Sequence, residues 1–245
     1  MCFHYALSAD AQTLKNRFQA GFPPVSDNEE HLSPQFHANG FLHPHMPVIT
    51  DKNPGTISLF KWGLIPSWVK TDTDAKKLKR MTLNARSETV FEKPSFRSSV
   101  RNNRCLVPAD GFYEWMTYKG RKYPHFIYLK NRPLFSMAGI WSLWRSPETG
   151  KQISTYSILT TKANDFVERI HNVKKRMPVI LPREAEQTWL DRDLTPPQIS
   201  AFLTPCDSDM MDAHTISKLI TSRDESAYSK EVQEPFDYPE LGLFH

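Results

Sequence analysis

Arg104-Cys105-Leu106-Val107-Pro108-Ala109-Asp110-Gly111-Phe112-Tyr113-Glu114-Trp115 reads as two strand pieces, 104–109 and 111–115, around the turn signal Asp110-Gly111. The same reading extends outward in both directions. Ile57 to Trp62 alternates apolar and polar residues as a strand does. Pro124 to Leu129 and Leu134 to Trp141 resemble hairpin strands joined at Lys130-Asn131-Arg132-Pro133. Ser154 to Leu159 is rich in β-formers, and Met177 to Leu181 is an apolar strand ending at Pro182. Helical signals are short. Residues 8–20 carry Leu14 and Phe18 at helical spacing behind Ser8 as N-cap, and residues 72–81 suit a short basic helix. Further short helices are expected over 165–170, 183–191 and 196–204. Residues 21–56, rich in Pro, His, Asn and Gly, read as loop with short extended pieces, and Leu64 to Trp68 as a turn. The simplest account is one α+β domain over residues 1–221. Mixed or antiparallel β-strands form a barrel-like sheet core, short helices lie at its periphery, and residues 222–245 form an irregular polar tail.

A chain of 245 residues buries a sizeable core without staples. Its three cysteines, Cys2, Cys105 and Cys206, are far apart and form no C-x-x-C, so neither a disulfide framework nor a cysteine zinc site is indicated. That suits a reducing compartment, and the N-terminus carries neither a signal peptide nor a membrane span, so a cytoplasmic protein is expected. A net charge of +4 permits nucleic-acid binding without demanding it. Two local clusters, Lys76-Lys77-Leu78-Lys79-Arg80 and Lys174-Lys175-Arg176, each read in isolation as a solvated face. His43-Pro44-His45 invites a metal reading, but no carboxylate or cysteine stands near it in sequence and the segment leads into an apolar strand at Pro47-Val48-Ile49. No metal and no cofactor is expected, and a monomer is.

Cys2 is the residue with the most distinctive chemistry. Met1 precedes a small side chain, so an aminopeptidase is expected to remove it and leave a terminal cysteine. Such a residue holds an amine of pKa about 8 beside a thiol of pKa about 8.5. An aldehyde meeting this 1,2-aminothiol forms an imine, and the sulfur then closes a five-membered thiazolidine on the same carbon. A cysteine elsewhere in a chain cannot do this, because its nitrogen is an amide.

Several motifs occur in order: Met1-Cys2, Trp62-Gly63-Leu64-Ile65-Pro66-Ser67-Trp68, Asn84-Ala85-Arg86-Ser87-Glu88-Thr89, and the 105–115 stretch already quoted. Ala138-Gly139-Ile140-Trp141, Thr160-Thr161-Lys162-Ala163-Asn164, and Ile170-His171 before Arg176-Met177-Pro178-Val179-Ile180-Leu181 complete the set. With them the chain resembles the SRAP family, the SOS-response-associated peptidase domain, from residue 2 to about 181. The resemblance implies covalent capture of abasic sites in single-stranded DNA through a thiazolidine on Cys2, shielding the lesion from cleavage. It casts Cys2 as nucleophile, Asn84 and Arg86 as sugar and phosphate contacts, Glu114 as general acid/base and His171 as a second proton-transfer group. Arg86, Arg169, Lys174, Lys175 and Arg176 are further expected to neutralise phosphates, and exposed Trp68 to stack on a flanking base. Trp62 is expected in the core. Phe3-His4 replaces the family's Gly-Arg after the cysteine, and Asn172 to Lys175 lengthen the loop before Arg176.

The residue chemistry is consistent with these roles. An abasic sugar is mostly a closed hemiacetal, and opening it needs an acid near the ring oxygen. Glu114 lies between Tyr113 and Trp115, where desolvation raises a carboxyl pKa. Ring closure by sulfur removes the imine, which would otherwise promote β-elimination, so the thiol separates a shield from a lyase. A cysteine-type peptidase (a hydrolase) that releases Met1 or cuts other proteins is the alternative built from the same Cys2, Glu114 and His171.

Overall fold

The computed structural model describes residues 2–23 and 33–242. The first half runs β1 (His4–Leu7), α1 (Ala11–Phe18), β2 (Gln35–Asn39), β3 (His45–Thr50), β4 (Asn53–Trp62), α2 (Asp72–Met81), β5 (Asn84–Arg86) and α3 (Arg97–Asn102). β6 (Arg104–Ala109), β7 (Gly111–Tyr118), β8 (Arg121–Leu129), β9 (Phe135–Arg145) and β10 (Gln152–Lys162) follow. The chain then forms α4 (Asp165–Ile170), β11 (Arg176–Pro178), β12 (Ile180–Leu181), α5 (Glu186–Trp189), α6 (Pro196–Ala201) and β13 (Met211–Thr215).

Two sheets organise these strands. One has the order β13-β8-β7-β1-β2. In the other, β10, β4, β3, β6 and β9 pair in turn, and β9 pairs back to β10, which closes a five-stranded barrel. Closure removes the free edges that an open sheet would expose. The barrel is mixed: β4 runs parallel to β10, while its other pairs are antiparallel, and β5 adds to β10 off the ring, also parallel. The α+β reading with a barrel-like core therefore holds.

The Asp110-Gly111 signal marks a corner between sheets. β6 ends in the barrel, and β7 begins in the five-stranded sheet. Asp110 secures the corner by accepting from the backbone N–H of Ser8 at 2.5 Å and from its hydroxyl. Ser8 is thereby engaged, and the N-cap of α1 is Asp10, which accepts from the Thr13 amide at 2.7 Å. The expectation of Ser8 as cap is corrected accordingly. Tyr5 on β1 and Tyr156 on β10 join the two sheets through their hydroxyls at 2.8 Å, with fully buried Trp62 edge-on to Tyr5.

Two other expectations change. The strands over 124–129 and 134–141 exist but do not form a hairpin, because β8 pairs with β7 and β13, and β9 with β6, β10 and β12. The hairpin lies one strand earlier. Lys119 and Gly120 both have positive φ, 46° and 75°, a pattern of the tight turn whose twist matches antiparallel strands. Within residues 21–56 the apolar piece expected at Pro47-Val48-Ile49 is part of a longer barrel strand, β3, buried from Met46 to Thr50. By contrast α2 and α4 occupy the predicted spans 72–81 and 165–170. Their N-caps are Thr71, accepting from Asp74 at 3.0 Å, and Asn164, accepting from Val167 at 2.9 Å.

After β13 the chain makes short 3₁₀ turns that bury Ile220, Ala227, Val232 and Leu241. No helix among the described residues is long and apolar enough to cross a membrane.

Candidate active site

The antiparallel register of β1 on β7, Tyr5 opposite Phe112 and Ala6 opposite Gly111, carries the start of the chain along β7 toward Glu114. Cys2 is buried there. Burial, and next the neighbouring Glu114 charge, hold its thiol well above the ordinary cysteine range. Glu114, also buried, faces His171, with Oε2 and Nε2 3.4 Å apart. Desolvation acts on the two in opposite senses. It pushes the Glu114 carboxyl up to about 8 and the His171 imidazole down to about 4. Although the spacing is that of an ion pair, burial thus keeps both groups uncharged at neutral pH. His171 Nδ1 lies 2.8 Å from the carbonyl of Arg176, which can only accept, so Nδ1 carries the hydrogen and Nε2 turns a lone pair toward Glu114. A protonated carboxylic acid beside an imidazole acceptor is an arrangement that can give and take a proton near pH 7.

Asn172, the first residue of the loop 172–175, anchors that loop to the strand that carries Glu114. The Asn172 side chain accepts from Thr117 N at 3.1 Å and donates to Thr117 O at 2.9 Å, clipping the residue after His171 to β7. Nothing in the sequence distinguishes Asn172 from any loop asparagine, so sequence reasoning missed it. The cleft above Glu114 is an open depression of about 430 Å³ lined by Phe3, His4, Trp115, His171, Lys174 and others.

The structure brings Cys2, Glu114 and His171 together and distributes the remaining predicted residues more widely. Asn84, on β5 beside Ile158, is buried, and neither its amide nitrogen nor its oxygen has a hydrogen-bond partner. Arg86 is exposed on the same strand. Lys174 is exposed at the cleft, while exposed Lys175 pairs with Glu168 at 2.7 Å. Arg169 lies on α4 at a neighbouring cavity of about 680 Å³ that also meets His125 and Tyr118. Trp68 is exposed, in a groove with Lys70, Lys77 and Met81 that is separate from the Glu114 cleft.

Arg176 departs from its expected role. Its guanidinium is buried, paired with Glu88, and donates to Thr160 O at 2.7 Å. It ties the segment after β5 to β10 and β11 and is not presented to phosphates. Arg176→Ala is therefore expected to lower stability by about 1.5–3 kcal/mol, the range for a charged hydrogen bond, and to leave the salt dependence of DNA binding unchanged. Thermal denaturation and a salt titration check this.

His4 likewise bears no charge for a phosphate. Its Nδ1 lies 2.8 Å from His37 Nε2, and burial with His37 lowers its pKa to about 3. His37 in turn contacts Ala227 O at 2.9 Å and stacks on Tyr228. Because β2 fell in a stretch read as loop, no sequence signal paired these two histidines. His43 is buried and His45 exposed, and no group of three or more metal-ligating side chains converges among the described residues.

A family model described as SOS response associated peptidase (SRAP) matches residues 1–223. The chain belongs to the SRAP family. It is 39% identical over 199 residues to abasic site processing protein YoqW of Bacillus subtilis, a match covering 77% of this chain and 85% of that protein. It is 38% identical over 167 residues to abasic site processing protein HMCES of Gallus gallus, covering 60% of this chain and 48% of the relative. A solved structure of a Bacteroides thetaiotaomicron protein superimposes with a TM-score of 0.90 at 38% identity, over 96% of this chain and 100% of that one. The SRAP match takes in all four residues proposed for the chemistry, and it ends before the 3₁₀ turns that support His37.

Proposed function

We propose that this SRAP protein captures abasic sites in single-stranded DNA through a thiazolidine on Cys2. The observation that supports the reading is that buried Cys2 lies near Glu114, which faces His171 at the floor of the cleft. The relatives named as abasic site processing proteins support the substrate. Glu114, protonated below about pH 8, gives its proton to the sugar ring oxygen as the C1′–O4′ bond breaks, and His171 Nε2 accepts the proton leaving the C1′ hydroxyl. The liberated Cys2 amine then adds to the aldehyde, one water departs, and an imine forms. Sulfur closes on C1′, and the thiol proton passes to nitrogen. No oxidant or reductant is required. Asn84, with both amide atoms unpartnered, offers hydrogen bonds to the opened sugar, and Arg86 and Lys174 offer charge to flanking phosphates.

The peptidase reading needs a thiolate primed by an imidazole. Here the thiol is held protonated, and the lone pair of His171 Nε2 is directed at Glu114. Mature protein incubated with a single-stranded oligonucleotide bearing one abasic site is expected to give a heat-stable shifted band on a denaturing gel. Cleavage of an unrelated peptide without that band would favour the peptidase.

Trp68 supplies sequence-tolerant affinity. Trp68→Ala is expected to weaken binding of unmodified single strands by about 1–3 kcal/mol, the worth of one stacked base, measured by fluorescence anisotropy.

A further inference from the structure

The basic run of α2 takes no part in the chemistry proposed for Cys2, and its surroundings are unusual. Lys79, Arg80 and Lys76 lie near Lys61 of β4, and the Lys79 ammonium is pulled below its ordinary range by burial and by those three neighbours. A helix C-terminus offers roughly half a negative charge, enough to favour one cation or two. The acidic residues of this helix, Asp72 and Asp74, are in its first turn, about 7 Å or more along the axis from Lys79 and Arg80 though within about one turn of Lys76, and their carboxylates accept from the Ser146 and Thr71 hydroxyls respectively. Buried His43 is packed directly against the same helix end. Gly63, at φ 113°, has no room for a side chain: a Cβ there would lie 2.6 Å from Lys79 O and 2.8 Å from His43 Nδ1. His43 Nδ1–H donates to Trp62 O at 2.8 Å, and its Nε2 is buried with no hydrogen-bond partner. Lys79, Lys61 and Arg80 all act on this ring.

We propose that Lys61, Lys76, Lys79 and Arg80, with His43 behind them, form a second phosphate-binding surface that engages the DNA strand away from the lesion. This rests on the reading of the protein as a single-strand binder. The four cations repel one another until an anion is seated among them. Such an anion would also offset the charges that act on the His43 ring from Lys79, Lys61 and Arg80. The His4–Phe41 and Phe3–Phe41 ring contacts place the turn before His43 beside the Cys2 cleft, so one strand can run from the cleft to this surface. Its occupant is the sugar–phosphate backbone, identified by repeating negative charge and not by base identity.

The test is the salt dependence of binding to an unmodified single strand. In the triple variant Lys76→Gln, Lys79→Gln, Arg80→Gln, the slope of log affinity against log salt is expected to become shallower by about 2 on a long oligonucleotide, since each single-strand phosphate contact contributes about 0.7. A short oligonucleotide that fills only the Cys2 cleft is expected to bind as before. The control Lys130→Gln, Arg145→Gln, Lys151→Gln removes the same net charge from other exposed positions and is expected to leave both slopes unchanged. An unchanged slope on the long strand, an equal loss in the control, or an equal loss on the short strand would each overturn the proposal. So would unchanged DNA binding accompanied by loss of binding to phosphatidylserine vesicles, which would assign the surface to a membrane. Failure of the abasic-site reading looks different: wild-type protein then forms no adduct, whatever the slopes.

Discussion

Cys2→Ala protein forms no heat-stable adduct with abasic single-stranded DNA. Alanine is small, so Met1 is still removed and the terminal amine still reaches the aldehyde. The product stops at the imine, which reverts on heating and is trapped only by borohydride. Cys2→Ser behaves similarly, because a hydroxyl is a far weaker nucleophile than sulfur. In both variants the imine remains an electron sink, so strand cleavage by β-elimination is expected to rise as the stable band disappears. The loss of stable adduct should be complete within detection, since the acid, the imidazole and the DNA contacts cannot substitute for the missing sulfur. Cys105 cannot stand in for it, being buried in a barrel strand with its nitrogen in an amide. A Cys2→Ala adduct as heat-stable as wild type would refute ring closure. Gel electrophoresis with and without borohydride separates the outcomes.

Glu114→Gln keeps the shape of the cleft and removes its acid. Adduct formation is expected to slow by about 100- to 10,000-fold, the range for a lost general acid, with affinity for unmodified single strands unchanged. The pH profile identifies the role. In wild type the rate rises as the α-amine deprotonates near pH 8 and falls as Glu114 loses its proton through about 8, giving a narrow bell. Glu114→Gln loses the alkaline fall, and its slower rate climbs to a plateau. Stability shifts as well. The folded carboxyl holds its proton up to about pH 8, whereas the unfolded one releases it near 4.5. Wild type therefore loses stability as pH rises between those values, and Glu114→Gln does not. The Tm advantage of the variant is expected to grow from pH 5 to about pH 8. A rate loss with no change in the pH profile would mean that Glu114 only fills space.

Local signals made part of this molecule readable. α2 and α4 begin at capping side chains, and their apolar and basic residues follow the helical repeat, so their spans agree with the sequence. The strand pieces of 104–115 were legible, but their partners were not. Apolar alternation says which face of a strand is buried and nothing of which strand lies beside it. The Lys130–Pro133 connection therefore resembled a hairpin turn although it leads from one sheet to the other. Lys119-Gly120 was the better turn signal. β3 was legible only as a short apolar piece at Pro47-Val48-Ile49; its full span, His45–Thr50, and its place in the barrel between β4 and β6 were not.

The candidate site divides in the same way. Cys2, Glu114 and His171 could be named from their chemistry and the order of motifs. The clip from Asn172 to Thr117, the His4–His37 contact and the internal role of Arg176 are meetings of residues far apart in sequence, and no local pattern announces them. A basic run in sequence likewise says nothing of which cations are already paired. Arg176 is paired with Glu88, whereas Lys79 is surrounded by other cations.

The most direct check is to digest the purified protein–DNA adduct, alkylate free thiols, and sequence the cross-linked peptide by tandem mass spectrometry. The account predicts a peptide that begins at Cys2 without Met1, carries the sugar on that residue, and has no alkylatable thiol there. A sugar on a lysine, an adduct that retains Met1, or a Cys2 sulfur still open to alkylation would contradict it.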